Sequence, residues 1–216
     1  MVRVLLCCTL SFLIAAIPRL SAQTRRSPTR SDNKSQACGP ISDGALKCTR
    51  FGFSYRIPFG WVDRTDDMQG ENEADTESTT KSEAASSKSQ TLLAIFERPP
   101  GAPGETINSA VVIAAESAAD YHAVKQASDY LGPISELAEQ RGFKSVSEPS
   151  SFSVGTKQLV RADFSKERGK LTMWQSSLVM IEKGYIVSFT FVSSGEDDVQ
   201  ELIRNLSFAT KAQPHK

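Results

Sequence analysis

The sequence predicts an α+β fold: an antiparallel β-sheet carrying helices on its faces. Three observations predict it. The last third holds three long β-branched and aromatic runs, Gly155 to Phe164, Leu171 to Ile181 and Tyr185 to Val192, joined by gaps short enough for hairpins. A closing stretch follows in which Val199, Leu202, Ile203 and Leu206 fall on one helical stripe. Ahead of both lies a central region of helical period, itself preceded by further strands. Consecutive hairpins force antiparallel pairing, and each amphipathic helix must bury its stripe on the sheet.

The chain has 216 residues, which suits one domain with tails, and 39% hydrophobic against 23% charged residues, a globular composition. Its start reads as a secretory signal over residues 1–22. Arg3 precedes an apolar run from Val4 to Ile17, Pro18 breaks it, and Ser21-Ala22 supply small residues for cleavage. Cys7 and Cys8 lie inside the apolar run and position 23 is Gln, which argues against a lipoprotein; Arg25-Arg26 follow the run and so are no twin-arginine signal. Removing the signal leaves 23 basic against 25 acidic residues, without the basic excess that nucleic-acid binding uses. The expected location is periplasmic or extracellular, with no membrane span once the signal is gone.

Residues 23–37 are polar throughout and predict a flexible linker. The folded region, expected over residues 38–210, opens with Cys38 and Cys48, the two cysteines left after the signal. In an exported chain two cysteines pair, and the Gly and Pro between them let the segment turn back, so a Cys38–Cys48 disulfide is expected. Phe51 to Ile57 alternates apolar and polar residues up to Pro58 and predicts a strand; Trp61-Val62 follow a Pro-Phe-Gly turn. Residues 63–90 carry Asp63, Asp66, Asp67, Glu71, Glu73, Asp75 and Glu77 with no period, and predict a disordered acidic insertion. Thr91 to Glu97 is a strand ended by Pro99-Pro100. Ile107 to Ala115, nearly all apolar, is a strand covered on both faces.

Tyr121, Val124, Ser128 and Leu131 fall at helical spacing, predicting a helix over Ser117 to Leu131 that Gly132-Pro133 ends. A second, short helix over Ile134 to Arg141 then starts behind Pro133 and stops at Gly142. Along the last strand Tyr185, Val187, Phe189 and Phe191 share the face expected to meet the core. Ser194 or Glu196 is the expected cap of the final helix, and residues 211–216 form a loose tail.

Phe51-Gly-Phe-Ser-Tyr-Arg-Ile-Pro-Phe-Gly-Trp61 resembles the opening strand of PsbP-like domains, with their Pro-x-Gly-Trp stop. The ending resembles them too: a Lys183-Gly-Tyr185 turn in a long strand pair, an amphipathic helix and Ser207-Phe208. The superfamily includes the extrinsic P protein of photosystem II, a small Ran-binding protein of nuclear transport and many exported bacterial proteins. The resemblance covers about Phe51 to Phe208 and implies an α/β/α sandwich with non-catalytic roles in binding or assembly. The acidic insertion after Trp61 departs from the compact family pattern, and no site residue carries over from the family.

Catalytic chemistry leaves few footholds. The two histidines are His122, one residue from the apolar stripe and so facing solvent, and His215 in the tail. There is no Gly-x-Ser-x-Gly, since Gly52-Phe-Ser54 runs into Tyr-Arg, and no phosphate-binding Gly-Lys-Ser/Thr. Calcium ligation fails at Thr65 and Gln69 ahead of Gly70. Two thiolates with two scattered histidines make no zinc set. Asp163 and Glu167 are candidate carboxylates for acid–base work, set against a reading as solvated hairpin ends. Trp61, Trp174 and Tyr185 are candidate walls of a ligand groove, set against core packing. The expectation is a non-enzymatic, cofactor-free exported module with a protein partner in the envelope. The alternatives are a hydrolase with a His-free acidic site and a surface or envelope-stress protein.

Overall fold

A computed structural model describes residues 38–69 and 89–209. The expected signal peptide, linker and C-terminal tail lie outside the described residues, as does the middle of the acidic insertion. Described residues all belong to a compact unit spanning residues 36–216.

The strands run in chain order β1 (Ala45–Cys48), β2 (Phe53–Arg56), β3 (Val62–Asp63), β4 (Gln90–Phe96), β5 (Ala110–Ser117), β6 (Lys144–Ser145), β7 (Ser150–Val154), β8 (Lys157–Arg168), β9 (Leu171–Glu182), β10 (Tyr185–Ser193) and β11 (Leu206–Phe208). The helices are α1 (Leu131–Gln140) and α2 (Glu196–Arg204). An eight-stranded sheet has the order β3-β4-β5-β10-β9-β8-β6, with β7 also paired to β8; a smaller sheet has the order β1-β2-β11. Every pairing in both is antiparallel.

The hairpins of the last third form where the alternation places them. Between β9 and β10 only Lys183 and Gly184 turn the chain, at φ 51° and 78°. Two successive positive φ values make the turn whose twist matches antiparallel strands, and glycine tolerates it at no steric cost. Register then sorts the side chains. On β10, Val187, Phe189 and Phe191 are fully buried on one face, while Tyr185 packs half-buried at its edge. Against that face lie Phe53 and Tyr55 of the small sheet, Val199, Leu202 and Ile203 of α2, and Leu206, which belongs to β11 and not to the expected helical stripe because the helix ends at Arg204. Phe53 meets Phe189 edge to face, their centroids 5.1 Å apart. The opposite face holds a smaller core, in which Tyr130, Leu131, Ala138 and Phe143 cover Ala162, Phe164, Val179 and Ile186. The layers are therefore α1 on one side, the large sheet, and an outer layer combining α2 with the small sheet.

Four local readings are corrected. The helix expected over Ser117 to Leu131 is instead two 3-10 turns, Ala118–Asp120 and Ala127–Tyr130, because polar side chains capture the backbone. Asp129 Oδ2 accepts from the backbone N–H of Lys125 at 2.8 Å and of Gln126 at 3.0 Å, and those bonds hold its carboxyl below the ordinary range. Nor does Gly132-Pro133 end a helix: both residues sit in the first turn of α1, where proline's missing N–H has no intrahelical partner to lose. The cap of α2 is Gly195 rather than Ser194 or Glu196; the Ser194 hydroxyl reaches Asp198 Oδ2 at 3.1 Å instead. On β5 the second face is half open, with Val112 and Ala114 partly exposed.

Residues 63–69 are folded, against the disorder expected from position 63 onward. Val62 and Asp63 pair with β4, and a helical turn occupies residues 65–69. Asp63 Oδ1 accepts from the Thr65 N–H at 2.9 Å, Thr65 Oγ1 accepts from the Ala94 N–H at 3.0 Å, and Gln69 Nε2 donates to the Thr91 carbonyl at 2.6 Å. The segment is held by hydrogen bonds to β4 with little apolar burial, so hydrophobic periodicity carries no trace of it. β1 was likewise unforeseen; it pairs with β2 over four residues.

Candidate functional site

The polar concavity of this surface grows from an inward-facing charge. In β8 the residues Leu159, Arg161 and Asp163 project to the same face, since side chains of a strand repeat every second residue. Leu159 and Arg161 are buried there, and Asp163 is half-buried near the sheet's end. A guanidinium under the sheet must be paired to be tolerated. Arg161 Nε donates to both Asp163 oxygens at 2.9 Å, and its Nη2 donates to Ser176 Oγ at 3.1 Å. Its guanidinium carbon lies 5.1 Å from the centroid of the Phe152 ring. Register sets Asp163 opposite Ser176 on β9, and the Ser176 hydroxyl donates to Asp163 Oδ1.

Beside this network opens a cleft of about 170 Å³. Its walls are Asp163 of β8, Trp174 to Ser176 of β9, Val146 and Ser147 after β6, and Glu196 and Val199 of α2. Val146 N–H donates to the Asp163 carbonyl at 2.9 Å, which fixes the loop against β8. The arrangement can bind; its proton chemistry is limited. Among the described residues lining the cleft there is no imidazole, and Ser176 has as its acceptor a carboxylate already engaged by arginine. His122 is exposed, and its neighbours Tyr121 and Val124 pack on the core of the opposite face. Histidine and serine are thus on different sides of the sheet.

The expected candidates separate clearly. Asp163 is no hairpin end: the β8–β9 turn follows Arg168, and Asp163 is braced by Arg161. Glu167 does sit at the hairpin end, exposed and accepting from the Thr172 hydroxyl at 3.1 Å. Trp61, Trp174 and Tyr185 all pack against the main core, and Trp174 also lines the cleft. Arg50 lies over the Tyr185 ring, 4.3 Å from its centroid. Cys38 and Cys48 are joined in a disulfide whose sulfurs are buried at the edge of the small sheet. Among the described residues no group of three His, Cys, Asp or Glu side chains is placed to hold a metal ion. His215 and the acidic residues 71–77 lie outside the described residues. Among the described residues no helix is long and apolar enough to cross a membrane.

Arg161, Ser176 and Glu196 were not singled out as site residues from sequence. The only local signal for Arg161 is an aspartate two residues on, which shares its face of a strand; alternation with Val160, Ala162 and Phe164 reads that face as solvent, and its burial comes from the second layer. Ser176 had none, because only cross-strand register brings it to Asp163.

A second polar cluster braces the 3-10 region. The hydroxyls of Tyr121 and Tyr130 both donate to Glu116, the latter to Oε1 at 2.9 Å, with the rings edge to face at 5.1 Å. Burial first, then the neighbouring Tyr121 and Glu116, push the Tyr130 hydroxyl well above the ordinary tyrosine range. Burial does the same to Tyr55, whose hydroxyl donates to the Leu202 carbonyl at 3.1 Å and ties β2 to α2.

No protein-family model and no curated protein matches the chain. Solved structures do. Cyanobacterial PsbP (CyanoP) from Synechocystis aligns with 80% of this chain and 97% of its own, at 10% identity and a TM-score of 0.44. The Ran-binding protein Mog1p of Saccharomyces cerevisiae aligns with 78% of this chain and 96% of its own, at 10% identity and a TM-score of 0.41. LpqN of Mycobacterium tuberculosis, described as involved in cell envelope biogenesis, aligns with 73% and 83%, at 10% identity and a TM-score of 0.37.

Proposed function

We propose that this protein is an exported, non-catalytic binding or assembly module of the cell envelope, and that the cleft beside Arg161 and Asp163 is where it meets a protein partner. One observation carries the reading: Asp163 and Ser176 of the cleft wall are locked together, with Arg161 holding Asp163 and Ser176 donating to the same carboxylate. Such a network keeps that wall in one shape, which recognition requires. Export is supported by the signal-like residues 1–22 and by the paired Cys38 and Cys48.

The test is capture of the mature chain with its partner from the envelope fraction of its own cell. Wild type retains a stoichiometric partner, and a Glu196→Arg variant of unchanged melting temperature loses it. Equal capture by both would remove the cleft from the reading. The alternative is a hydrolase built on Ser176 and Asp163, favoured by the hydrogen bond between them. Turnover of an ester, glycoside or peptide that Ser176→Ala abolishes would establish it and displace the binding reading.

A further inference from the structure

Resting on that binding reading, we infer that the cleft takes a protonated amine or guanidinium, the head of a lysine or arginine side chain on the partner. Its walls bring together two carboxylates from different elements, Asp163 on β8 and Glu196 on α2, beside the half-buried indole of Trp174. Among the described residues that line it there is no lysine or arginine. An aromatic ring and two carboxylates lining one cleft attract a cation, the ring through its quadrupole and the carboxylates through opposite charge. Arg161 does not reverse that sign, because its charge is committed to Asp163, Ser176 and the Phe152 ring. Nor is Asp163 used up. Among the described residues Oδ2 accepts from Arg161 Nε, and a carboxylate oxygen has a second lone pair to offer.

Size and rigidity agree with the chemistry. At about 170 Å³ the cleft is below the roughly 300–1,000 Å³ of pockets for drug-sized ligands, yet it admits a side-chain head. Ser147 and Ser176 add hydroxyl oxygens, and Val146 and Val199 line it with methyl groups that suit the stem of a long basic side chain. A Trp174-to-cation contact also gives a direct optical readout.

The experiment titrates the mature full-length chain, carrying Trp61→Phe so that Trp174 is its tryptophan, with Nα-acetyl-lysine amide and Nα-acetyl-arginine amide. Nα-acetyl-norleucine amide and Nα-acetyl-glutamate amide are the comparisons, and Trp174 fluorescence is followed. The basic amides should saturate the signal and bind at least tenfold more tightly than the neutral and acidic ones. Glu196→Gln, an exposed position whose replacement leaves the fold intact, should weaken them at least threefold. A pentapeptide with a central arginine should bind at least tenfold more tightly than putrescine, which separates a protein side chain from a free polyamine as the source. Equal binding of the acidic amide, no saturation, or an unchanged Glu196→Gln titration would overturn the inference. Partner capture persisting in that case would leave the binding reading standing, so the two fail separately.

Discussion

Replacing Arg161 with methionine removes a charge while keeping most of its apolar stem, and the structure sets how much that costs. The pair is well buried, with side-chain exposures of 10% for Arg161 and 23% for Asp163. Removing one partner of a fully buried pair costs about 3–5 kcal/mol, mainly because the other charge is left uncompensated. Asp163 keeps some access to water, which argues for the lower end, and methionine recovers part of the packing. The expected loss for Arg161→Met is therefore about 3 kcal/mol, or a fall in melting temperature of roughly 6–12 °C for a domain of this size. Asp163→Asn strands the more buried guanidinium but keeps an amide oxygen to accept from Nε, so about 2 kcal/mol is expected. The double variant leaves no unpaired charge and should cost about 1 kcal/mol, well below the sum of the singles. Urea unfolding followed by far-UV circular dichroism gives all three values. The less buried pair Lys157–Glu182, at 29% exposure on each side, is the control, and Lys157→Met should cost no more than about 1 kcal/mol. Single variants that add up in the double, or an Arg161→Met loss no larger than the control's, would refute the view that the cleft rests on a buried ion pair.

The Cys38–Cys48 disulfide, closing a sequence separation of 10, should contribute about 3 kcal/mol, read as the drop in urea midpoint of the Cys38→Ser/Cys48→Ser double variant. Phe191→Ala empties a fully buried position beneath Tyr55 and should cost about 3–5 kcal/mol by the same assay. Phe59 is 104% exposed at the tip of the Pro58-Phe-Gly60 turn, so Phe59→Ser should leave stability within about 0.5 kcal/mol. Tyr55 and Tyr130 have hydroxyls raised above the unfolded value of about 10, so their contribution is complete below that pH and is lost as pH rises beyond it. Stability should therefore fall above about pH 10, and Tyr55→Phe with Tyr130→Phe should flatten that limb of the urea-midpoint profile.

Local chemistry was enough to read most of the framework. Alternation along β10 determined which of its faces meets the main core, because a strand's side-chain period is two. Lys183-Gly184 and Gly169 marked the hairpins, and Val199, Leu202 and Ile203 determined which face of α2 lies on the sheet. Local reading failed where polar side chains bind the backbone at short range. Asp129 breaks the helix expected over residues 117–131, and Thr65 and Gln69 fasten residues 63–69 to β4. Periodicity responds to burial and is blind to such bonds.

By itself, then, the sequence determined the antiparallel α+β architecture, the core faces and the pairing of Cys38 with Cys48. Only the tertiary structure decided the cleft. Asp163, Ser176 and Glu196 lie 13 and 20 residues apart along the chain; Asp163 and Trp174 were candidates by residue type, but nothing local joins them to Ser176 and Glu196. The β8–β9 register sets Asp163 against Ser176, and the packing of α2 on β9 and β10 delivers Glu196. A strand pattern specifies which way each side chain points; which distant side chain it meets there depends on register and on helix docking, and both are settled by burial summed over the whole core.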